Sequence, residues 1–223
     1  NLYKKLIFQI KKLQSKNIVH YDLRPNNILI SSNTFNPYII DFGLSLNMTK
    51  ITSILNNKKQ IKKKLTEVGK FYIFAPENCY WCFDIHIISF IINNYDGLDN
   101  KFAYKYEIDN FKKFVYNNRA FNYVSKNFKN NYWENCLNYL EQLTKYTNYE
   151  VLLHLIKNYN KWDIIGLTMT FLQLVGFNKS LQNEKIIKQF IKILLNNIDF
   201  DSSKVLLPNE QLHNLSLLKL KQD

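Results

Sequence analysis

Asp22, Asn27 and Asp41 carry oxygen-bearing side chains in a spacing that could do chemistry. Asp22 and Asn27 lie five residues apart in the polar stretch His20 to Asn27, and Asp41 opens Asp41-Phe42-Gly43, 19 residues after Asp22. A loop carboxylate can orient a hydroxyl and accept its proton. A carboxylate and an amide oxygen together suit a hard divalent cation. Arg24, between them, offers a planar fork of donors that fits an oxyanion. Each taken alone has a plainer reading, since loop Asp and Asn most often cap turns and helices. Cys79-Tyr80-Trp81-Cys82 has zinc-ligand spacing, but no second Cys/His pair follows at a matching interval, so no metal is expected there.

These side chains need a scaffold. Leu2, Leu6, Ile7, Ile10 and Leu13 recur at helical spacing, which predicts a helix over 2–15. Ile18-Val19 is a short apolar pair. Ile28-Leu29-Ile30 reads as a short buried strand and Tyr38-Ile39-Ile40 as a second one, with a turn cluster between them and Asp41 at the end. Residues 44–70 are polar and Lys-rich without a sustained period, and are expected to form a long mobile loop that Ala75-Pro76-Glu77 closes. Residues 84–161 are mostly helical by pattern. Residues 163–175 are apolar all round and predict a buried helix. An amphipathic helix is expected over 184–197, and a weaker one from Pro208 to about residue 220. Only 5 Gly and 4 Pro occur, which favours long helices and a mainly α fold.

His20-Tyr21-Asp22-Leu23-Arg24-Pro25-Asn26-Asn27, Asp41-Phe42-Gly43 and Ala75-Pro76-Glu77 occur in that order, set between short strands. Together they resemble the eukaryotic-type protein kinase superfamily, whose catalytic loop, metal-binding triplet and activation-segment end have these forms. The resemblance covers residues 2–77 well and 163–212 loosely. It implies the C-terminal lobe of the α+β kinase fold over residues 1–223, helical, with short strands flanking the catalytic loop. Residues 44–77 would be the activation segment and 78–161 a helical insertion. Asp22 would orient the acceptor hydroxyl. Asp41 and Asn27 would hold Mg2+, or Mn2+ instead, on ATP. Arg24 would offset charge on the moving phosphoryl group, and Leu29 would lie under the adenine ring. His20, Phe42, Gly43, Glu77 and Asp163 would be structural supports.

The departures matter as much. Tyr21 stands where the family has an Arg that pairs with an activation-loop phosphate, so that switch lacks its cation. Lys70 stands where serine/threonine kinases carry a Thr. Val205 replaces the Arg that partners Glu77, with Lys204 as a substitute. Asp163 is the leading match for the Asp that opens the buried helix and braces the catalytic loop, and Asp84 is the runner-up. With Asp163, 86 residues separate it from Glu77, against about a dozen in the resembled family. No Gly-x-Gly-x-x-Gly and no Val-Ala-x-Lys occur. The amino-terminal lobe is therefore expected to be absent from the chain, and residues 1–223 alone are expected to transfer little phosphate.

The 223 residues suffice for one domain, and a composition 46% hydrophobic and 15% aromatic is that of a globular chain. The abundance of Asn, Lys, Ile and Tyr points to an AT-rich genome, such as that of a parasite, a protist or a large DNA virus. A net charge of +12 favours anionic partners or simply supplies solubility. The Lys run from Lys58 to Lys64 would favour acidic protein substrates. A nucleic-acid partner is not expected, and oligomeric state is left open. No apolar run of about 18 residues and no signal segment is present. Three cysteines fit a reducing compartment, so a cytoplasmic location is expected, or the virion and host cytoplasm for a viral chain. The reading is an ATP-dependent protein kinase, Ser/Thr rather than Tyr on Arg24 and Pro25. Its rivals are a pseudokinase or interaction scaffold, and a small-molecule kinase of the aminoglycoside or choline type. The latter usually lacks Ala-Pro-Glu after a long loop.

Overall fold

The computed structural model describes residues 1–69, 71, 73–178 and 184–217. The chain is mainly helical, and its core is built around one apolar helix. That helix, α8 (Trp162–Phe177), is buried on nearly every face. The first helix, α1 (Leu2–Gln14), lays Tyr3, Leu6, Ile7 and Ile10 against the core, the face its i, i+3, i+4, i+7 spacing dictates. Each fully buried aliphatic side chain there contributes about 1.5–3 kcal/mol. The Tyr3 hydroxyl lies 2.8 Å from Thr168 Oγ1 on α8. It also donates to Gln211 Oε1 at 3.0 Å on α10 (Pro208–Leu217). The amphipathic α9 (Lys185–Leu195) covers another side of α8.

Two small antiparallel ribbons carry the loops of interest. Strand β1 (Ile18–Val19) pairs with β4 (Leu46–Asn47), and β2 (Ile28–Ile30) pairs with β3 (Pro37–Ile39) in the register Ile28↔Ile39. Ile28–Ile30 forms the strand its types predict, but not a buried one. Leu29 is 54% exposed and Ile30 51%, because this ribbon packs against α1 through β3 and turns its β2 face outward.

Residues 44–70 also depart from expectation. Where the sequence predicts a long mobile loop, the described residues 44–69 hold two helices, α2 (Met48–Leu55) and α3 (Ile61–Gly69). Met48, Ile51, Ile54 and Leu55 of α2 are buried, as are Ile61 and Leu65 of α3, and the two helices pack on each other. Asn47 caps α2 by accepting from the Lys50 N–H. The interspersed lysines mask this short apolar period in the sequence.

Between this pair and α8 lie α4 (Phe83–Asn94), α5 (Ile108–Tyr116), α6 (Lys126–Leu143) and α7 (Asn148–Ile156). A capping box between Thr147 and Glu150 starts α7. No helix among the described residues is long and apolar enough to cross a membrane.

Candidate active site

The loop from His20 to Asn27 is held between α8 and the β2–β3 ribbon. Asp163, in the first turn of α8, turns its carboxylate to the loop. It accepts from the His20 N–H at 2.7 Å and the Tyr21 N–H at 2.9 Å. Burial pushes this carboxyl up, and the two backbone N–H donors pull it back down. Of the two candidates for this brace, Asp163 is the one that reaches the loop. Asp84 opens α4 instead, wholly buried near Trp162 and Ser202.

His20 is buried, and its two ring nitrogens face opposite ways. Nε2 lies 2.8 Å from the Ile40 carbonyl, and Nδ1 accepts the Asp22 N–H at 3.4 Å. That pattern requires the neutral tautomer with its proton on Nε2. The Phe42 ring stands edge-on to His20, centroids 4.9 Å apart. His20 thus links the loop to the approach to Asp41.

Asp22 and Asn27 meet directly. Asn27 Nδ2 donates to the Asp22 carboxylate and to the Asp22 carbonyl, both at 2.8 Å. The Arg24 Nε lies 3.4 Å from the same carboxylate oxygen, with the guanidinium half exposed. Such a pair contributes at most about 1 kcal/mol to stability. Both protons of the Asn27 amide go to Asp22, and its Oδ1 accepts no hydrogen bond among the described residues.

Asp41 enters through the ribbon. The pair Ile28↔Ile39 is extended by an Ile40 N–H to Asn27 carbonyl bond of 3.0 Å, which sets Asp41 one residue beyond Asn27's partner. Gln9 of α1 accepts the Ile39 N–H at 3.1 Å and donates to the Pro37 carbonyl, fixing β3 to the core. Asp41 has φ 61°, the left-handed region that Asp tolerates better than most residues. Its Oδ1 accepts the Gly43 N–H at 3.2 Å, and its other oxygen stays unbonded and exposed.

The remaining predicted positions fall outside this cluster. Leu29 is exposed on β2. Glu77 is exposed, and Lys204 pairs with Asp201 at 3.5 Å, not with Glu77, because the turn of residues 202–204 holds it beside its own cap. Lys70 lies outside the described residues. Tyr21 is buried in a ring cluster, edge-on to Phe71 at 5.7 Å and tilted over Trp81 at 5.0 Å. Among the described residues no group of three His, Cys, Asp or Glu could hold a metal, and burial pushes the thiols of Cys79 and Cys82 up. Sequence reasoning missed Gln9, Trp81 and Thr170. Their hydrogen bonds to the loop and ribbon span 28–147 residues of chain and leave no local pattern.

No protein-family model matches the chain, and no solved structure matches it. Over 150 residues, 66% of the chain, it is 31% identical to the DNA-directed RNA polymerase subunit beta'' of Plasmodium falciparum, of which the match covers 14%. Over 90 residues, 38% of the chain, it is 29% identical to the serine/threonine-protein kinase CAK1 of Saccharomyces cerevisiae, covering 24% of that protein. The chain thus spans less than two thirds of either relative, and the second likeness gives partial support to the kinase superfamily.

Proposed function

We propose that the chain is the C-terminal lobe of a protein kinase that transfers the γ-phosphoryl group of ATP to a protein Ser or Thr hydroxyl. The observation that carries this reading is the Asp22–Asn27 contact, with the loop braced by Asp163 and Asp41 delivered one residue beyond Asn27 in the ribbon register. The likeness to the yeast kinase supports it. The polymerase likeness names another activity, but this cluster fits phosphoryl transfer.

The residues present fit a magnesium ion. Asp41 keeps one unbonded carboxylate oxygen, and Asn27 keeps Oδ1 uncommitted because its N–H groups are both spent on Asp22. Magnesium takes one or two such protein ligands and fills the rest with water and phosphate oxygens. Asp41 and Asn27 would hold it, or manganese, and the ion would neutralise phosphate charge when bound. Asp22, fixed by Asn27, orients the acceptor hydroxyl and takes its proton late in transfer. Arg24 offers its half-exposed guanidinium to phosphate oxygens. Leu29, exposed on β2, offers an apolar surface to the adenine ring. Residues 44–77 act as the activation segment, and 78–161 as a helical insertion. The substrate is a protein, with acidic sequences favoured by the lysines of α3.

The test uses the full-length protein with magnesium ATP and a peptide library. Asp41→Asn should abolish metal-dependent nucleotide binding. Asp22→Asn should keep binding and lose turnover by about 10²-fold or more. Equal loss of nucleotide affinity in both variants would refute the division of roles. Binding without turnover in the parent protein would favour the scaffold reading.

A further inference from the structure

The stretch His20 to Leu23 lies beyond β1 and in no helix, so its backbone polar groups need partners from elsewhere. Side chains supply them. Asp163 takes the N–H groups of His20 and Tyr21, and Asn27 serves the carbonyl of Asp22. Ser45 Oγ donates to the His20 carbonyl at 3.4 Å, which leaves the carbonyls of Tyr21 and Leu23, one on each side of Asp22. Trp81 Nε1 donates to the first at 2.9 Å and Thr170 Oγ1 to the second at 2.8 Å, and both bonds are buried.

These donors come from unrelated parts of the chain. Trp81 precedes α4, and Thr170 sits in the middle of α8. The indole also lies against the Tyr21 ring. Tyr21 has φ 72°, a conformation a bulky residue keeps only where its surroundings over-determine it. Gly166, one turn before Thr170, lets α8 come this close. A Cβ there would lie 3.0 Å from the Tyr80 carbonyl and 3.6 Å from Leu23 Cβ.

We propose that Trp81 and Thr170 are positioning residues for Asp22, anchoring the peptide carbonyls on either side of it so that its carboxylate keeps one orientation. The inference rests on the phosphoryl-transfer reading of Asp22 and adds the groups that aim it. Neither residue touches the reacting atoms. A freed carbonyl lets its peptide rotate, and the carboxylate swings with it. A displacement of about 1 Å at a reacting group can cost on the order of 10²-fold in rate. Nucleotide binding depends on Asp41 and Asn27 and should be spared.

The experiment uses three variants of the full-length protein. Trp81→Phe keeps a ring and loses the N–H. Thr170→Val keeps the shape and loses the O–H, and Thr170→Ser restores the O–H. Steady-state kinetics with magnesium ATP are combined with NMR exchange of the Asn27 side-chain amide protons. The expected result is a kcat loss of roughly 10- to 10²-fold in Trp81→Phe and Thr170→Val with KM for ATP unchanged. Thr170→Ser should recover most of it. The Asn27 amide protons should exchange faster in the two impaired variants, while the α8 core amides stay protected. Unchanged kcat, a KM that rises as kcat falls, or a Thr170→Ser no better than Thr170→Val would overturn the proposal. If the parent protein binds nucleotide but never turns it over, the phosphoryl-transfer reading fails on its own. The Asn27 exchange then still judges the clamp: faster exchange upholds it, and unchanged exchange overturns it.

Discussion

Helix α4 begins two residues after Trp81 and buries two titratable groups, Asp84 and His86, whose pH effects oppose each other. Burial raises Asp84 to about 7 from an ordinary 3.8, against the pull of Ser202 and Trp162. Burial lowers His86 to about 3 from an ordinary 6.5, against the backbone groups of Asn78 and Trp81. Above pH 3.8 the unfolded chain loses the Asp84 proton while the folded one keeps it, so stability falls as pH rises toward 7. Below pH 6.5 the unfolded chain gains a His86 proton that the folded one refuses, so stability falls as pH drops toward 3. Each slope is about 1.4 kcal/mol per pH unit. Between roughly pH 4 and 6.5 the two cancel. Replacing Asp84 by Asn removes one slope and unmasks the other. Relative to the parent, Asp84→Asn should gain stability steadily above pH 4, reaching on the order of 4 kcal/mol beyond pH 7. His86→Phe should do the reverse, gaining as pH falls below 6.5. Asp163 and Asp199, both raised by burial, slope the same way as Asp84 but are common to parent and variant and drop out of the difference. Urea midpoints followed by circular dichroism from pH 4 to 8 measure it. A difference between Asp84→Asn and parent that does not change with pH would refute the reasoning.

Two further outcomes can be checked with simple variants. Gly166→Ala should cost about 1–3 kcal/mol, since the new methyl meets the Tyr80 carbonyl at 3.0 Å, and a melting temperature equal to the parent's would count against the close approach. In the Lys run, Lys58 pairs with Asp99 and Lys62 lies 3.6 Å from Asp96, so part of its charge is already spent on the 95–99 turn. Replacing Lys58, Lys59, Lys62, Lys63 and Lys64 by Gln should weaken use of acidic peptides more than neutral ones. That loss should shrink with salt, because exposed charges are screened beyond about 8 Å at physiological strength. An equal effect on both peptide classes would leave the run as a solvated surface.

Local periodicity made part of this chain legible. The spacing of Leu6, Ile7 and Ile10 predicts α1, and the all-round apolar run after Trp162 predicts α8, because each needs only neighbours within two turns. The spacing of Asp22, Asn27 and Asp41 anticipates a cluster whose proximity comes from the short ribbon between them. Residues 44–70 misled, because a polar majority hides the buried minority: Ile61 and Leu65 sit one turn apart among lysines. Leu29 and Ile30 misled in the other direction, since apolar type alone does not say which face of a two-stranded ribbon meets the core. Trp81 and Thr170 could not be read at all. Their partners lie 60 and 147 residues away, and only the folded chain brings them to the loop.

On the proposed kinase reading, Tyr21 shows how one departure is absorbed. An Arg there could bind a phosphate on the segment 44–77, and a Tyr cannot. Yet α2 and α3 of that stretch are already packed without phosphate. Ile51, Leu55, Ile61 and Leu65 bury its two helices, and Phe71 closes edge-on against Tyr21 itself. Tyr149 at the start of α7 donates to the Leu55 carbonyl at 2.9 Å, and Lys62 donates to the Tyr95 carbonyl at 2.7 Å. Apolar burial of four such side chains outweighs the few kcal/mol that new charge-assisted hydrogen bonds could add. The helices between Glu77 and Asp163 thus hold α2 and α3 in place, and Tyr21 packs as an aromatic against Phe71.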